Sequence, residues 1–216
     1  MSFSDWNGVW AYRELFFQGW LITIAISAGG LVLSLLIGFL TALCQRSSFK
    51  LLARIYIEGI RGTPFLVQIL FFYYVVAHAI GLENRFLAGM IMLSIFHGAY
   101  IAEIIRGGFE AVSRTQRESA LAIGLSPFQT YQFVIIPQAI RHIIPPLTGQ
   151  FASIVKDSSL LSIIGINELT NNAQQINSAT YSTLESFFPL AVAYLLLTLP
   201  ISFLSKILEK RFQYET

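Results

Sequence analysis

From Gly19 to Cys44 the chain reads GWLITIAISAGGLVLSLLIGFLTALC, without one charged residue. About twenty consecutive apolar residues are enough to cross the hydrocarbon core of a bilayer as a helix. The stretch therefore predicts a membrane span. The rest of the chain agrees: with 55% hydrophobic and 12% charged residues among 216, it has too little polar material to clothe a soluble globule.

Further spans are expected over 55–80, 86–105 and 186–204. Between the last two, 138–164 is apolar enough to cross once, but Pro145, Pro146 and Gly149 are expected to break it. The expectation is an all-α membrane protein with five transmembrane helices, forming one domain over residues 1–216.

Lys and Arg set the orientation, because cytoplasmic loops carry their excess. Arg46, Lys50 and Arg54 follow the first span, Arg106, Arg114 and Arg117 follow the third, and Lys206, Lys210 and Arg211 end the chain. The opposite side has Arg13 and Arg85. This places the N-terminus outside and the C-terminus in the cytoplasm, and explains the net charge of +2 without a nucleic-acid surface. The start lacks the basic region of a cleavable signal, and the apolar run after it exceeds the usual 7–15 residues. Trp6, Trp10 and Trp20 read as an interfacial lead-in, and Cys44 is the only cysteine, with no second one for a disulfide or metal site.

Gly30, Ser34, Gly38 and Ala42 recur every four residues along the first span. Such a stripe lets a second helix approach closely, although small residues are also frequent in membrane helices generally.

A long connection after the third span, about 114–137 and on the cytoplasmic side, contains ESALAIGLSPFQTYQFVIIP. Glu118 to Ile123 is helix-forming, with Glu118 expected in the first turn, and Gly124 suits the left-handed conformation that ends a helix. Ser126 then caps a second helix with Pro127 at its first position and Gln129 completing a capping box. Two helices should meet at a fixed angle, either as a docking surface or as a hairpin that returns the chain to the membrane.

Glu118-Ser119-Ala120, three residues, Gly124, nine residues and Val134-Ile135-Ile136-Pro137 resemble the EAA loop, E-A-A-x3-G-x9-I-x-L-P, of membrane subunits of binding-protein-dependent ABC importers. Ser119, Val134 and Ile136 are conservative departures. RGTPFLVQ from Arg61, AYIAEIIRGG around Tyr100, IIPQAI, and KDSSLLSIIG from Lys156 resemble the polar amino acid branch of those permeases. The resemblance implies a coupling helix seated in a cleft of a cytoplasmic ABC ATPase dimer, with Arg117, Glu118, Ser119, Ala120, Gly124 and Leu125 at the contact. It also implies a second permease subunit, the same or similar, and an extracytoplasmic substrate-binding protein, all in a bacterial cytoplasmic membrane. The chain has no G-x-x-x-x-G-K-[ST] loop, so ATP and Mg belong to the partner ATPase, and no cofactor is expected here.

Counting from span ends at about 1.5 Å per residue places Phe65, Leu66 and Gln68, Phe96 and His97, and Ser153, Lys156 and Asp157 near mid-membrane. Helix disturbances lie close by, at Gly62-Thr63-Pro64, at Gly98 and at Pro145-Pro146. Transporter sites favour such places. Lys156 and Asp157 could meet the two charges of an amino acid, but neighbours on a helix point about 100° apart and ion pairs with other helices would also explain them. His97 reads more readily as a packing residue than as a ligand contact; His78 and His142 do not share its helix, so no metal cluster is visible. Glu103 and Arg106, three apart, can pair as an inner gate, as a brace for the coupling loop, or as an interfacial pair. The polar segment 167–182 reads as a landing surface for a binding protein or as a solvated loop.

Two other classes compete. An ion-coupled secondary carrier for small polar solutes would also be polytopic and apolar. An intramembrane enzyme would need a nucleophile with a base or a metal motif, and none stands at facing positions.

Overall fold

A computed structural model describes residues 6–213, and among them every regular element is helical. In hydrocarbon the backbone must satisfy its own hydrogen bonds, which leaves the helix as the default for apolar stretches of this length. The helices are α1 (Trp6–Trp10), α2 (Arg13–Cys44), α3 (Lys50–Arg61), α4 (Phe65–Phe71), α5 (Arg85–Glu110), α6 (Arg114–Ala122), α7 (Pro127–Thr130), α8 (Ile136–Asp157), α9 (Leu169–Thr180) and α10 (Thr183–Gln213).

Three of them, α2, α5 and α10, are long and apolar enough to cross a membrane. A fourth crossing exists if α3 and α4 count as one span. The segment 55–80 is not one straight helix: α3 and the α4 arm, which continues through a π-helical stretch to Ala77, are bent by 107°. Pro64 is the cause, since it cannot donate to the ladder and holds an extended ψ of 135° at the start of α4.

The opposite correction applies to 138–164. Pro145 and Pro146 lie inside α8 without breaking it. The Pro145 carbonyl also accepts from Thr148 Oγ1 at 2.7 Å and from Ser205 Oγ of α10 at 3.2 Å, which ties this stretch to α10. The helix changes only at Ser158, where it tightens into a 3-10 segment that ends at Gly165 with φ +72°. Alone, α8 is not among the helices both long and apolar enough to cross a membrane.

The small-residue stripe of α2 is buried along its length, at Gly19, Thr23, Ser27, Gly30, Ser34, Gly38 and Ala42; Gly19 and Thr23 meet α9, and Gly30 and Gly38 lie against α5. A Cβ on Gly38 would sit 2.5 Å from Ile101 Cγ2 and 3.0 Å from the carbonyl oxygen of Gly98. Such contact replaces the hydrophobic drive that is missing between helices in lipid. Inside, Ile26, Phe65, Ile69, Leu93, Phe96, Ile154 and Leu161 form one core shared by α2, α4, α5, α8 and the 3-10 segment.

Residues 167–182 are not a solvated loop. Glu168, fully buried, caps α9 by accepting from the backbone N–H groups of Thr170 and Asn171, and it also accepts from Tyr194 of α10 at 2.8 Å. Burial pushes its carboxyl above the usual range, and those donors oppose the shift. Asn172 and Ile176 face inward, and Asn172 donates to the Leu15 carbonyl at 2.8 Å, so α9 is tied to the start of α2.

Gly38→Leu is expected to destabilise the protein by about 1–3 kcal/mol, because the α2–α5 contact has no room to relax. Gly59→Leu, whose added Cβ meets nothing within 4 Å, serves as the control. Thermal unfolding in detergent measures both, and equal behaviour of the two variants would show that the stripe does not set the packing.

Candidate functional site

The connection after α5 forms the expected elbow. Ser113 caps α6, accepting from the Gln116 N–H. The helix therefore begins at Arg114, and Glu118 stands beyond the first turn where sequence placed it. Gly124 has φ +90°, a conformation that side chains rarely adopt, and its N–H and that of Leu125 donate to the carbonyls of Leu121 and Ala120. Ser126 and Gln129 form the reciprocal capping box, at 3.3 Å and 2.9 Å. Both helices are thus fixed at their junction.

Of the residues singled out here, Ala120 is buried, Leu125 is half-buried, and Arg117, Glu118, Ser119 and Gly124 are exposed. Two further residues stand out: Ile123 is 80% exposed and Phe128 76% exposed, on either side of the junction. Sequence reading passed over them, although the signal was there: two large apolar residues beside Gly124 and Pro127 in an otherwise polar turn.

Beyond the elbow the chain does not break again before Gly165. α7 runs into a π-helical stretch, Tyr131–Ile135, and then into α8. Pro137 lacks an N–H for the carbonyl four residues earlier, and the turn just before it is wider, with the Ile136 N–H donating to the Tyr131 carbonyl five residues back. Pro127 to Asp157 is therefore one helical rod, about 45 Å long at 1.5 Å per residue.

A polar cluster holds the adjoining helix ends together. Glu103 of α5 accepts from Arg106 Nε and Nη2, each at 2.9 Å, from Gln45 Nε2 at 2.9 Å, and lies 3.3 Å from Arg61 Nη1. The expected Glu103–Arg106 pair is present, and Arg61 from α3 joins it. Arg46, next to Gln45, stacks over Phe109 at 4.6 Å and donates to the Tyr131 hydroxyl in the π-helical stretch. Elbow, α2 and α5 thereby meet.

Deeper in the bundle, Arg61 lies over Tyr100 at 5.4 Å, Tyr100 packs on Phe96, and Phe96 stacks on Phe65 with centroids 4.2 Å apart. His97 is buried beside them. Its Nδ1 is 2.6 Å from Gln150 Nε2, and its Nε2 lies 3.3 Å from Asp157 Oδ2, close enough for an ion pair but without an aligned hydrogen bond.

The structure thus joins Phe65, Phe96, His97 and Asp157 in one place. It does not bring Lys156 there: that side chain is exposed and turned away from Asp157's partner, as the 100° step along a helix requires. Gln68 is committed to the bend, donating to the carbonyls of Ile60 and Thr63 and to the Thr63 hydroxyl. Leu66 points outward, and Ser153 bonds back to the Gly149 carbonyl. Among the described residues no three His, Cys, Asp or Glu side chains gather into a metal-binding group.

Helices long and apolar enough to cross a membrane, packed around a buried polar cluster, define a polytopic membrane protein. The chain belongs to the family of binding-protein-dependent transport system inner membrane components, whose model matches residues 30–214. It is 39% identical over 213 residues to the glutamine transport system permease protein GlnP of Escherichia coli (strain K12), covering 96% of this chain and 97% of that one. A crystal structure of an amino acid ABC transporter with histidines superposes with a TM-score of 0.88 at 38% identity, covering 96% of this chain and 99% of the other. An inward-facing structure of the MetNI methionine ABC transporter shares the fold, with a TM-score of 0.71 at 16% identity over 97% of this chain and 99% of the other. The protein is a permease subunit of an ATP-driven importer and not an enzyme; hydrolysis belongs to a separate subunit, and the ion-coupled carrier is set aside.

Replacing Glu103 by Gln leaves two arginines without their shared charge and is expected to cost about 1–3 kcal/mol. In double-mutant cycles read by thermal unfolding, coupling of Glu103 to Arg106 should exceed coupling to Arg61, following two close bonds against one long one. Zero coupling to both would mean the cluster does not hold these helices.

Proposed function

We propose that this chain forms one half of the pore of a polar amino acid importer in a bacterial cytoplasmic membrane. In this reading it crosses five times with its N-terminus outside, α8 and the α3–α4 pair supplying the crossings beyond α2, α5 and α10. It pairs with a second permease subunit, the same or similar, above a cytoplasmic ABC ATPase dimer that binds ATP and Mg. An extracytoplasmic binding protein delivers the substrate. The charge bias of the connections supports the orientation, and the names of the relatives support the substrate class.

The observation that carries the reading is the elbow. A ligand biases a two-state protein only through its differential affinity for the states, and a nearly complete switch needs about 5.5 kcal/mol of bias. A floppy connection would dissipate that work. Two capped helices locked at Gly124 can instead pass displacement from the ATPase into the rod, whose far end carries Lys156 and Asp157. Ile123 and Phe128 are the apolar anchors for the ATPase cleft, with Arg117, Glu118, Ser119, Ala120, Gly124 and Leu125 shaping the surface around them.

At mid-depth, Asp157 beside His97 offers a carboxylate to a substrate ammonium, and the stacked Phe65–Phe96 pair offers an apolar wall. Lys156, on the outward face of the rod, is presented toward the second permease across the pathway. Leu66, Gln68 and Ser153 border the site, and Glu103 with Arg61 and Arg106 closes its cytoplasmic side.

Phe128→Asp and Ile123→Asp are expected to reduce binding-protein-stimulated ATP hydrolysis and transport by about tenfold or more in the reconstituted complex, as loss of buried anchors does. Glu118→Lys with Gly124→Pro should uncouple it by another route. Unchanged hydrolysis and transport in all three would reduce the elbow to a turn.

A further inference from the structure

Helix α3 is divided into three faces. Ala53, Tyr56, Ile57 and Ile60 pack inward against α5. Leu51, Leu52 and Ile55 form a second face, 66%, 64% and 60% exposed. Lys50, Arg54, Glu58 and Arg61 form the third. On a helical projection with 100° per residue these sets do not overlap.

Both ends of α3 meet α5 at one level: Gln45, which precedes it, and Arg61, which ends it, both reach Glu103. Side chains from both of its ends, Lys50 and Arg61, reach the same cavity of about 610 Å³, which Glu103 and Arg106 of α5 also line. The 107° bend beyond Arg61 then sends the α4 arm off in another direction. Taken with the orientation proposed above, on which this inference rests, α3 is the interfacial limb of that bent crossing, at the cytoplasmic edge of the bilayer, and the α4 arm is the limb that enters it.

Charge identifies what it meets there. The cavity is lined by four cations, Lys50, Arg54, Arg61 and Arg106, against two carboxylates, Glu58 and Glu103. Glu58 is engaged by Arg54 at 2.7 Å, Glu103 by Arg106 and Arg61, and Arg106 is also paired with Glu110, so the surplus charge is that of Lys50, which has no ion-pair partner among the described residues. An excess of positive charge therefore opens beside an exposed apolar face. An amphipathic helix of that build lies in the interface, its apolar side among acyl chains and its cations at headgroup level. Anionic lipids are attracted to such cations.

We propose that α3 and its cavity form a binding site for an anionic phospholipid of the cytoplasmic leaflet. The phosphate lies between Lys50 and Arg54 at the cavity mouth, and the acyl chains run over Leu51, Leu52 and Ile55. Because α3 leads through the Gly62-Thr63-Pro64 bend to Phe65, a lipid seated there would brace the arm that carries one wall of the mid-depth site.

The test uses the purified full chain in phosphatidylcholine vesicles. Spin-labelled phosphatidylglycerol and spin-labelled phosphatidylcholine are compared for the motionally restricted fraction that each contributes. The expected result is a several-fold preference for phosphatidylglycerol, lost in Lys50→Gln/Arg54→Gln and weakened by salt. Lys206→Gln/Lys210→Gln, which removes the same charge from exposed positions of α10, should keep it. An unchanged preference in the first double variant, or equal loss in both, would overturn the site. So would separation of the permease pair by Leu52→Glu with lipid preference intact, since a second copy would then cover this face. The readout needs neither ATP nor transport, so a failure here is distinct from a failure of the coupling elbow.

Discussion

A carboxylate near the end of a membrane helix must be paired or expelled, and Glu103 is paired from three helices. Gln45 at the end of α2, Arg61 at the end of α3 and Arg106 on α5 all converge on its two oxygens. The expense of leaving any of these groups unpaired at low dielectric fixes how the helix ends meet. Arg46, one residue beyond Gln45, extends the cluster to Tyr131 and hence to the elbow, while Arg61 extends it through Tyr100 to Phe96 and Phe65. Side chains from the elbow to the Phe65–Phe96 pair are therefore contiguous.

Contiguity alone does not transmit force; a stiff element is required. The helical run from Pro127 to Asp157 is the candidate, since it continues through Pro137, Pro145 and Pro146 without a break. A wider turn precedes Pro137, with the Ile136 N–H donating to the Tyr131 carbonyl, and Ser205 of α10 binds the Pro145 carbonyl. Ridges of small residues meanwhile hold α2 immobile against α5, giving the rod a frame to move against.

Much of this was legible in the sequence. The charge-free run, the four-residue stripe, Gly124 and the Ser126–Gln129 box each follow from local rules, and all stand where expected. The mid-depth grouping was partly legible: counting residues placed Phe65, Phe96, His97 and Asp157 at similar depth, but only packing could separate Asp157, which faces His97, from Lys156, which does not. Proline was read rightly at Gly62-Thr63-Pro64, where a disturbance was expected and the chain bends, and wrongly at Pro145-Pro146, where a break was expected and the helix runs on. Its missing N–H is a local fact, whereas the outcome depends on the packing around it: at Pro145 the helix runs on beside α10, whose Ser205 it contacts, and at Pro64 the chain turns. Polar composition also misled at 167–182, because a capping Glu168 with a tyrosine partner from α10 lets such a segment fold inward.

The central claim is that the elbow and the mid-depth residues move as one body. It is tested most directly by pulsed electron–electron distance measurements in the assembled importer, in a Cys44→Ser background, with spin labels at Gln129 and Ser153. A second pair, Gln129 and Gln18, reports the rod against α2. The account predicts that the Gln129–Ser153 distance is the same without nucleotide and with trapped ATP, while the Gln129–Gln18 distance changes. A rod distance that changes while the frame distance stays fixed would contradict it, locating the motion in the Tyr131–Ile135 stretch instead.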